Sequence, residues 1–421
     1  MWKVTHARTS GACPALSNGH ARDPDWLHFP GARTTLLGMA DPATIPADEL
    51  ARRLDRGERV QLLDVRATER VRLGRVALGP ALEFHALPAS QLYNLQSLDP
   101  LGLDRSQPVL VICGHGNSSA RAADFLQERG FDARSVAGGM AAWEGVYLPR
   151  RLAPTRALEH VVQLDRVGKG ALSYVLASDR DALIVDPGRH LERYEAVLEE
   201  LHATATAVID THMHADYLSG ARTAARRWRV PYFVHPDDTS SPYDGAAGRF
   251  PYEPLRDGDT IAFGRATLRV EHVPGHTLGS VTLIADESIA LTGDFLFVQS
   301  LGRPDLGGQA EAWGRLLWRS LERTRRRWPG DLLILPAHYA SERERRADRS
   351  VAARLDVIAA TNPVAAIADE ASFLRFLAQH DTAPPESYRT IKLANLGLVE
   401  LAAADAEAVE VGPNQCAVAA E

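Results

Sequence analysis

The sequence predicts an α/β protein with at least two domains, each a sheet flanked by helices. Three observations predict it. Residues 60–137 run strand, loop, helix, strand at the spacing of a parallel α/β unit. After residue 158 the texture changes to closely spaced alternating strands interrupted by helices. The 421 residues, at about 150 per domain, suffice for two or three cores.

Composition narrows the function classes. Apolar residues are 45% and charged residues 24%, an ordinary globular balance. A net charge of −7, with Lys and Arg scattered, argues against a nucleic-acid partner held by a basic face. No run approaches 18 apolar residues, so a membrane-spanning helix is not expected. Three cysteines (Cys13, Cys113, Cys416) cannot form a disulfide framework and fit a reducing, cytoplasmic setting. The first 20 residues lack the apolar segment of a secretory signal. Residues 1–38 are expected to be a disordered extension, or to precede a start at Met39.

In chain order, residues 47–55 (ADELARRLD) read as a helix with Leu50 and Leu54 on one face. Residues 60–64 (VQLLD) and 108–112 (PVLVI) read as buried strands. The second runs directly into Cys113, a Gly-bearing loop, and a helix over 118–129 stopped by Gly130. Residues 148–158 (LPRRLAPTRAL) look like a linker, which places the domains at 39–150 and 159–421 around a connection at 151–158. Strands follow at 160–165, 171–177 and 181–186, then a helix at 190–202 and a strand at 206–210. Hairpin material fills 260–298, and helices are expected at 309–327 and 341–360. This order suggests two β-rich layers covered by helices.

The strongest chemical signal is residues 211–217 (THMHADY), a loop that directly follows a strand. Two imidazoles two residues apart, His212 and His214, can face one ion from such a loop. His276, Asp294 and His338 follow further strand-like runs, and Gly275 and Gly293 allow the sharp turns that would aim His276 and Asp294 inward. A single such His is more often a surface or hydrogen-bonded core residue. Four strand-end loops all bearing His or Asp point instead to one metal site at one sheet edge.

These residues resemble the metallo-β-lactamase fold, an αββα sandwich whose signature is HxHxDH followed by a distant His, an Asp and a final His. The resemblance covers roughly 156–421. The chain departs from it at Tyr217, where the signature has His; in the dinuclear zinc hydrolases of this fold, such as glyoxalase II, that His ligates the second metal. The branch that fits is the persulfide dioxygenases, which implies one Fe(2+) held by His212, His276 and Asp294 as a two-His-one-carboxylate triad with positions open to dioxygen and substrate. His214, Asp216 and His338 then orient ligands, or serve as alternative ligands if the metal is Zn(2+). Tyr217 either packs or hydrogen-bonds in the pocket. Residues 302–305 (GRPD) and 385–396 (PESYRTIKLANL) resemble the same branch, which implies substrate contacts by Arg303, Tyr339, Lys392 and Asn395.

Cys113 opens a loop, Gly114, His115, Gly116, Asn117, Ser118 and Ser119, between a buried strand and a helix N-terminus. Amides converging there, with the helix dipole behind them, favour a thiolate and bind an anion. A buried Cys is commonly inert packing, but two glycines within three residues argue against that here. With residues 63–66 (LDVR) and 138–143 (GGMAAW), the loop resembles a rhodanese domain spanning about 40–147, which implies sulfur carried as a Cys113 persulfide. Many active rhodaneses have Arg where this chain has Ser118, so a low-molecular-weight persulfide competes with thiosulfate as donor.

The two resemblances imply a bifunctional enzyme. It would oxidise glutathione persulfide, or the persulfide of another thiol, with dioxygen to sulfite, and exchange sulfane sulfur between persulfide, sulfite and thiosulfate. The resemblance also implies a homodimer, for which the sequence carries no signature. The alternatives are a zinc hydroxyacylglutathione hydrolase of the glyoxalase II type, and a non-catalytic rhodanese-like binding module.

Overall fold

The computed structural model describes residues 43–380 and 382–418. The reading of 1–38 as a disordered extension therefore lies outside the described residues.

The N-terminal sheet has five parallel strands in the order Thr44–Pro46, Ala133–Ala137, Val109–Ile112, Val60–Asp64, Leu82–Ala86. Val60–Asp64 and Val109–Ile112 are buried at every residue, as central parallel strands covered on both faces must be. Helices Ala47–Asp55 and Gly139–Glu144 pack with one face, and Asn117–Gln127 with the other. Cys113 therefore leaves the C-terminal end of a central strand and faces the start of a helix.

The second region is a sandwich of a seven-stranded and a six-stranded sheet, both mixed in strand direction. Between them lies a core that includes Tyr174, Leu176, Leu183, Val185 and Ile209 from one sheet and Leu268, Val270, Leu283, Leu291 and Leu335 from the other. Each such fully buried Leu contributes roughly 1.5–3 kcal/mol, and together they fix the strand ends that carry the His and Asp loops. Helices Leu191–Glu200 and Ala221–Trp228 cover the outer face of the first sheet, and Ala310–Arg327 that of the second. The layers are αββα, as expected. No helix among the described residues is long and apolar enough to cross a membrane.

Two expectations need correction. Residues 148–152 belong to an edge strand, Tyr147–Leu152, paired antiparallel with His160–Arg166, and not to a linker. Pro149 is tolerated there because an edge strand has a side without a partner. From this strand Arg150 ties the two domains: it forks onto Asp55 of the first at 2.6 and 2.7 Å and reaches Asp165 of the second at 3.3 Å. Arg349, from the loop after strand Leu333–Pro336, joins Asp55 at 2.9 Å. The other correction concerns 341–360. Only Leu355–Thr361 is α-helical; Glu342–Glu344 is a 3-10 turn, and Arg345 pairs with Val351 across an irregular loop.

Candidate metal centre and Cys113 loop

Four strands, Thr204–Ile209, Ala266–His272, Ile289–Gly293 and Leu333–Pro336, end at one edge of the sandwich, and their loops carry His212, His276, Asp294 and His338. Gly275 and Gly293 make two of these turns. Their φ angles are +149° and +53°, and a Cβ would meet the Leu317 backbone at 2.4 Å or the Thr211 hydroxyl at 2.5 Å. Only glycine fits either place.

His212, His276 and Asp294 are at most 1% exposed, and they offer ligand atoms within 4.8 Å of one another. The Nε2 atoms of His212 and His276 lie 3.6 and 3.4 Å from Asp294 Oδ2. None of these three atoms has a hydrogen-bond partner. Buried polar atoms left unpaired are costly, and three converging ones fit a cation. The rings are turned to suit it. His276 Nδ1 lies 2.8 Å from the Arg303 carbonyl, which can only accept, so that nitrogen carries the proton and Nε2 keeps its lone pair. His212 Nδ1 sits 3.0 Å from the Thr211 hydroxyl, which itself donates to Asp186 at 2.8 Å.

His338 lies between two carboxylates, with Nδ1 2.7 Å from Asp294 Oδ1 and Nε2 3.0 Å from Asp216 Oδ2. Burial pulls its pKa down, but the Asp294 and Asp216 charges outweigh that and push it up to about 10. His214 turns elsewhere: Nε2 faces the Tyr217 hydroxyl at 3.0 Å and Asp186 at 3.3 Å. Tyr217 donates to the Asp186 carbonyl and stacks on His214 at 4.4 Å. Its hydroxyl thus braces the wall, and its ring packs there too.

In the first domain, Cys113 Sγ accepts from the Gly116 amide at 3.2 Å and the Ser119 hydroxyl at 3.3 Å. Burial raises the thiol pKa, but these hydrogen bonds prevail and hold it below the ordinary value. Gly139 closes the loop from behind. Its φ is +59°, and a Cβ there would lie 2.3 Å from the Cys113 carbonyl, which instead accepts from the Met140 amide at 2.8 Å. The residue 113–119 loop and the GGMAAW segment are therefore one packed unit. His115, Asn117 and Ser118 are exposed, Gly114 and Gly116 partly so, and Ser119 is buried.

Comparison with known proteins assigns the two domains. The family model described as Rhodanese-like domain matches residues 46–145, and that of the Metallo-beta-lactamase superfamily matches residues 167–360. An uncharacterized protein of Mycobacterium leprae is 36% identical over 187 residues, 39% of this chain and 84% of that protein. The chain belongs to the metallo-beta-lactamase superfamily, with a rhodanese-like domain ahead of the metallo-beta-lactamase domain. The mitochondrial persulfide dioxygenase ETHE1 of Homo sapiens is 34% identical over 161 residues, 38% of this chain and 59% of that protein, so the match spans about three fifths of it. A metallo-beta-lactamase from Staphylococcus aureus has 28% identity and a TM-score of 0.49, over 55% of this chain and 71% of that one.

Of the expected substrate contacts, the metallo-beta-lactamase domain brings one to a cavity at its metal loops. Lys392, 2% exposed, lines a 110 Å³ cavity with Met213, Asp238, Thr277 and Trp313. The others are turned to different work. Asn395 donates to the carbonyls of His214 and Tyr217 and accepts from the Ser219 amide, bracing the metal loop. The Arg303 side chain pairs with Asp305, and it is the Arg303 backbone that touches His276. Tyr339 bonds Asp165 at 3.1 Å, beside the Arg150 junction between the domains.

Several participants were not singled out from sequence. Asp186, in a strand-end Asp-Pro-Gly, accepts from Thr211. Asp238 accepts from the Met213 amide and the Thr277 hydroxyl, both at 2.7 Å, tying two metal loops together. Cys416, fully buried, places its sulfur beside Asp216 and His338. No spacing pattern reaches these residues, because they come from separate strand ends and the C-terminal segment.

Proposed function

We propose that the chain oxidises a thiol persulfide, such as glutathione persulfide, with dioxygen at a single iron, and moves sulfane sulfur through Cys113. The observation that carries this reading is the triad of unpaired, buried ligand atoms on His212, His276 and Asp294, in the same chain as a sulfur-stabilising Cys113 loop. Similarity to ETHE1 supports sulfur-bearing substrates.

His212, His276 and Asp294 would hold Fe(2+), which supplies one site for both dioxygen and a sulfur ligand. Everything else is the work of the chain. Thr211 and the Arg303 carbonyl fix the two imidazole rings. His338 holds Asp294 from its other oxygen. Lys392 presents an ammonium to an anionic substrate in the cavity beside Met213. The balance is RSSH + O2 + H2O giving RSH, sulfite and two protons. At Cys113 the thiolate attacks the outer sulfur of RSSH and releases RSH; sulfite then takes that sulfur as thiosulfate and restores the thiolate. Having both sites on one chain raises the local concentration of the shared sulfur species.

The test is oxygen uptake by purified protein on adding glutathione persulfide, with sulfite and bound iron measured together. Oxygen consumed and sulfite formed at about one iron per chain is the expected result. No oxygen uptake, with hydrolysis of a glutathione thioester by the zinc-loaded protein, would overturn it in favour of the hydrolase reading.

A further inference from the structure

The loop that carries His212 is held by its backbone amides. Asp186 accepts from Thr211 at 2.6 Å, Asp238 from Met213 at 2.7 Å, Glu410 from Leu218 at 2.8 Å and Asn395 from Ser219 at 3.0 Å. Glu410 differs from the other three in having a second connection. It is 1% exposed, accepts from Arg166 at 3.1 and 3.2 Å and from Arg189 at 2.6 Å, and Arg166 Nε donates to the Glu144 carbonyl at 2.7 Å. Glu144 ends the helix Gly139–Glu144, whose Met140 and Ala141 amides donate to the carbonyls of Cys113 and Gly114. One buried carboxylate therefore stands between the end of the metal loop and the segment that closes the Cys113 loop.

The backbone that carries Glu410 is pinned to both domains. Lys169 donates to the carbonyls of Glu410 and Gly412, and the Gly412 amide donates to Glu144 at 3.3 Å. Gly412 has a φ of +93°, and a Cβ there would lie 2.3 Å from the Leu73 carbonyl of the first domain, so only glycine lets the segment lie this close. Further on, the Cys416 carbonyl accepts from the Arg303 amide at 2.8 Å, and the Arg303 carbonyl orients His276. Stability alone does not call for charges here, because a buried ion cluster can often be exchanged for packed apolar side chains without loss. What the charges add is a carboxylate held in one place by two guanidinium groups.

We propose that Glu410 is a positioning residue for the candidate metal centre. Through the Leu218 amide it holds the end of the 211–217 loop, and through Arg166 it fixes that position against the Cys113 domain. This assignment rests on His212, His276 and Asp294 binding a metal ion, and not on the reaction performed there. The first domain is then part of the support of the metal site, and metal affinity responds to changes at the domain junction that touch no ligand.

The test titrates the metal-free full chain with Co(II), taking as the signal the affinity and ligand-field band that His212→Ala abolishes. Glu410→Ala removes the acceptor of the Leu218 amide; Glu410→Gln keeps an oxygen there, and both remove the charge beside Arg166. Affinity should fall about tenfold in Glu410→Ala, the low end for outer-shell partners, with an altered band, and clearly less in Glu410→Gln. Gly412→Ala keeps Glu410 but unseats it from Leu73, and should lower affinity too. Arg189→Ala loosens the ion cluster without touching Leu218 or Glu144; it should lower the urea midpoint and leave affinity and band unchanged. Circular dichroism checks folding, and if neither Glu410 variant folds, Gly412→Ala and Arg189→Ala carry the test. Unchanged affinity in Glu410→Ala or Gly412→Ala, or a loss in Arg189→Ala as large as in either, overturns the proposal, as does a chain that binds no Co(II) at the His212 set. Oxygen uptake is measured separately: a chain that gives these Co(II) results and consumes no oxygen overturns the function proposed above and upholds the role of Glu410.

Discussion

His276 and Arg303 meet through the backbone: the imidazole Nδ1 is 2.8 Å from the Arg303 carbonyl oxygen, and the Arg303 amide binds the Cys416 carbonyl. One peptide segment therefore sets the tautomer of a candidate metal ligand and anchors the C-terminal segment. The Arg303 side chain is occupied by Asp305. Substituting that side chain tests the fold of this loop more than it tests substrate charge.

Thr211 is the corresponding support for His212. Thr211→Val removes the hydroxyl that accepts from His212 Nδ1 while nearly keeping its shape. Metal affinity should fall about 10–100-fold, the usual cost of losing such a partner. A competition titration against a chelator of known affinity would measure it, and an unchanged affinity would show that the His212 ring is held by packing alone.

The two chemistries should separate by mutation. Asp294→Ala should abolish oxygen uptake and leave sulfur transfer to sulfite intact; Cys113→Ser should do the reverse. Both variants losing both activities while still folded would mean that the sites are not independent.

The Cys113 thiol, held below its ordinary pKa by Ser119 and loop amides, should alkylate at mildly acidic pH where an ordinary thiol is slow. Ser119→Ala removes one of its two sulfur-bound donors and should move the pH–rate curve for iodoacetamide upward. A curve that coincides with that of free cysteine in the unmutated protein would leave Cys113 as a packing residue.

Two buried carboxylates near the domain junction, Glu410 and Glu144, should set the pH profile of stability. Glu410, although burial opposes it, is held down to about 2 by Arg166 and Arg189. A lowered carboxylate stabilises above its unfolded pKa, near 4.3, and that stability is lost as pH falls toward 2. Glu144 is the opposite case, pushed up to about 7 chiefly by burial. Its folded form favours the proton, so stability should fall as pH rises from about 4.3 toward 7. Glu144→Gln should flatten this alkaline-side fall. Glu410→Gln leaves Arg166 buried beside a neutral amide and should cost about 3–5 kcal/mol. Urea denaturation between pH 3 and 8 checks both; parallel profiles for unmutated protein and variants would remove these carboxylates from the account.

The sequence alone determined the two α/β units, the strand-end position of the His and Asp loops, and the Cys113 loop, because these rest on local signals. Apolar runs of strand length, glycines at forced turns and closely spaced metal-binding side chains are all written within a few residues. Helix 47–55 was legible to the residue for that reason. Only the tertiary structure decided which groups share a site. It took Tyr339 to the domain junction, set Asn395 to bracing the metal loop, made an edge strand of a supposed linker, and carried Cys416 to Asp216 and His338. These outcomes depend on partners as far as 200 positions away, such as Asp165 for Tyr339 and Asp216 for Cys416. Burial and charge pairing choose such partners only once the sheets have stacked.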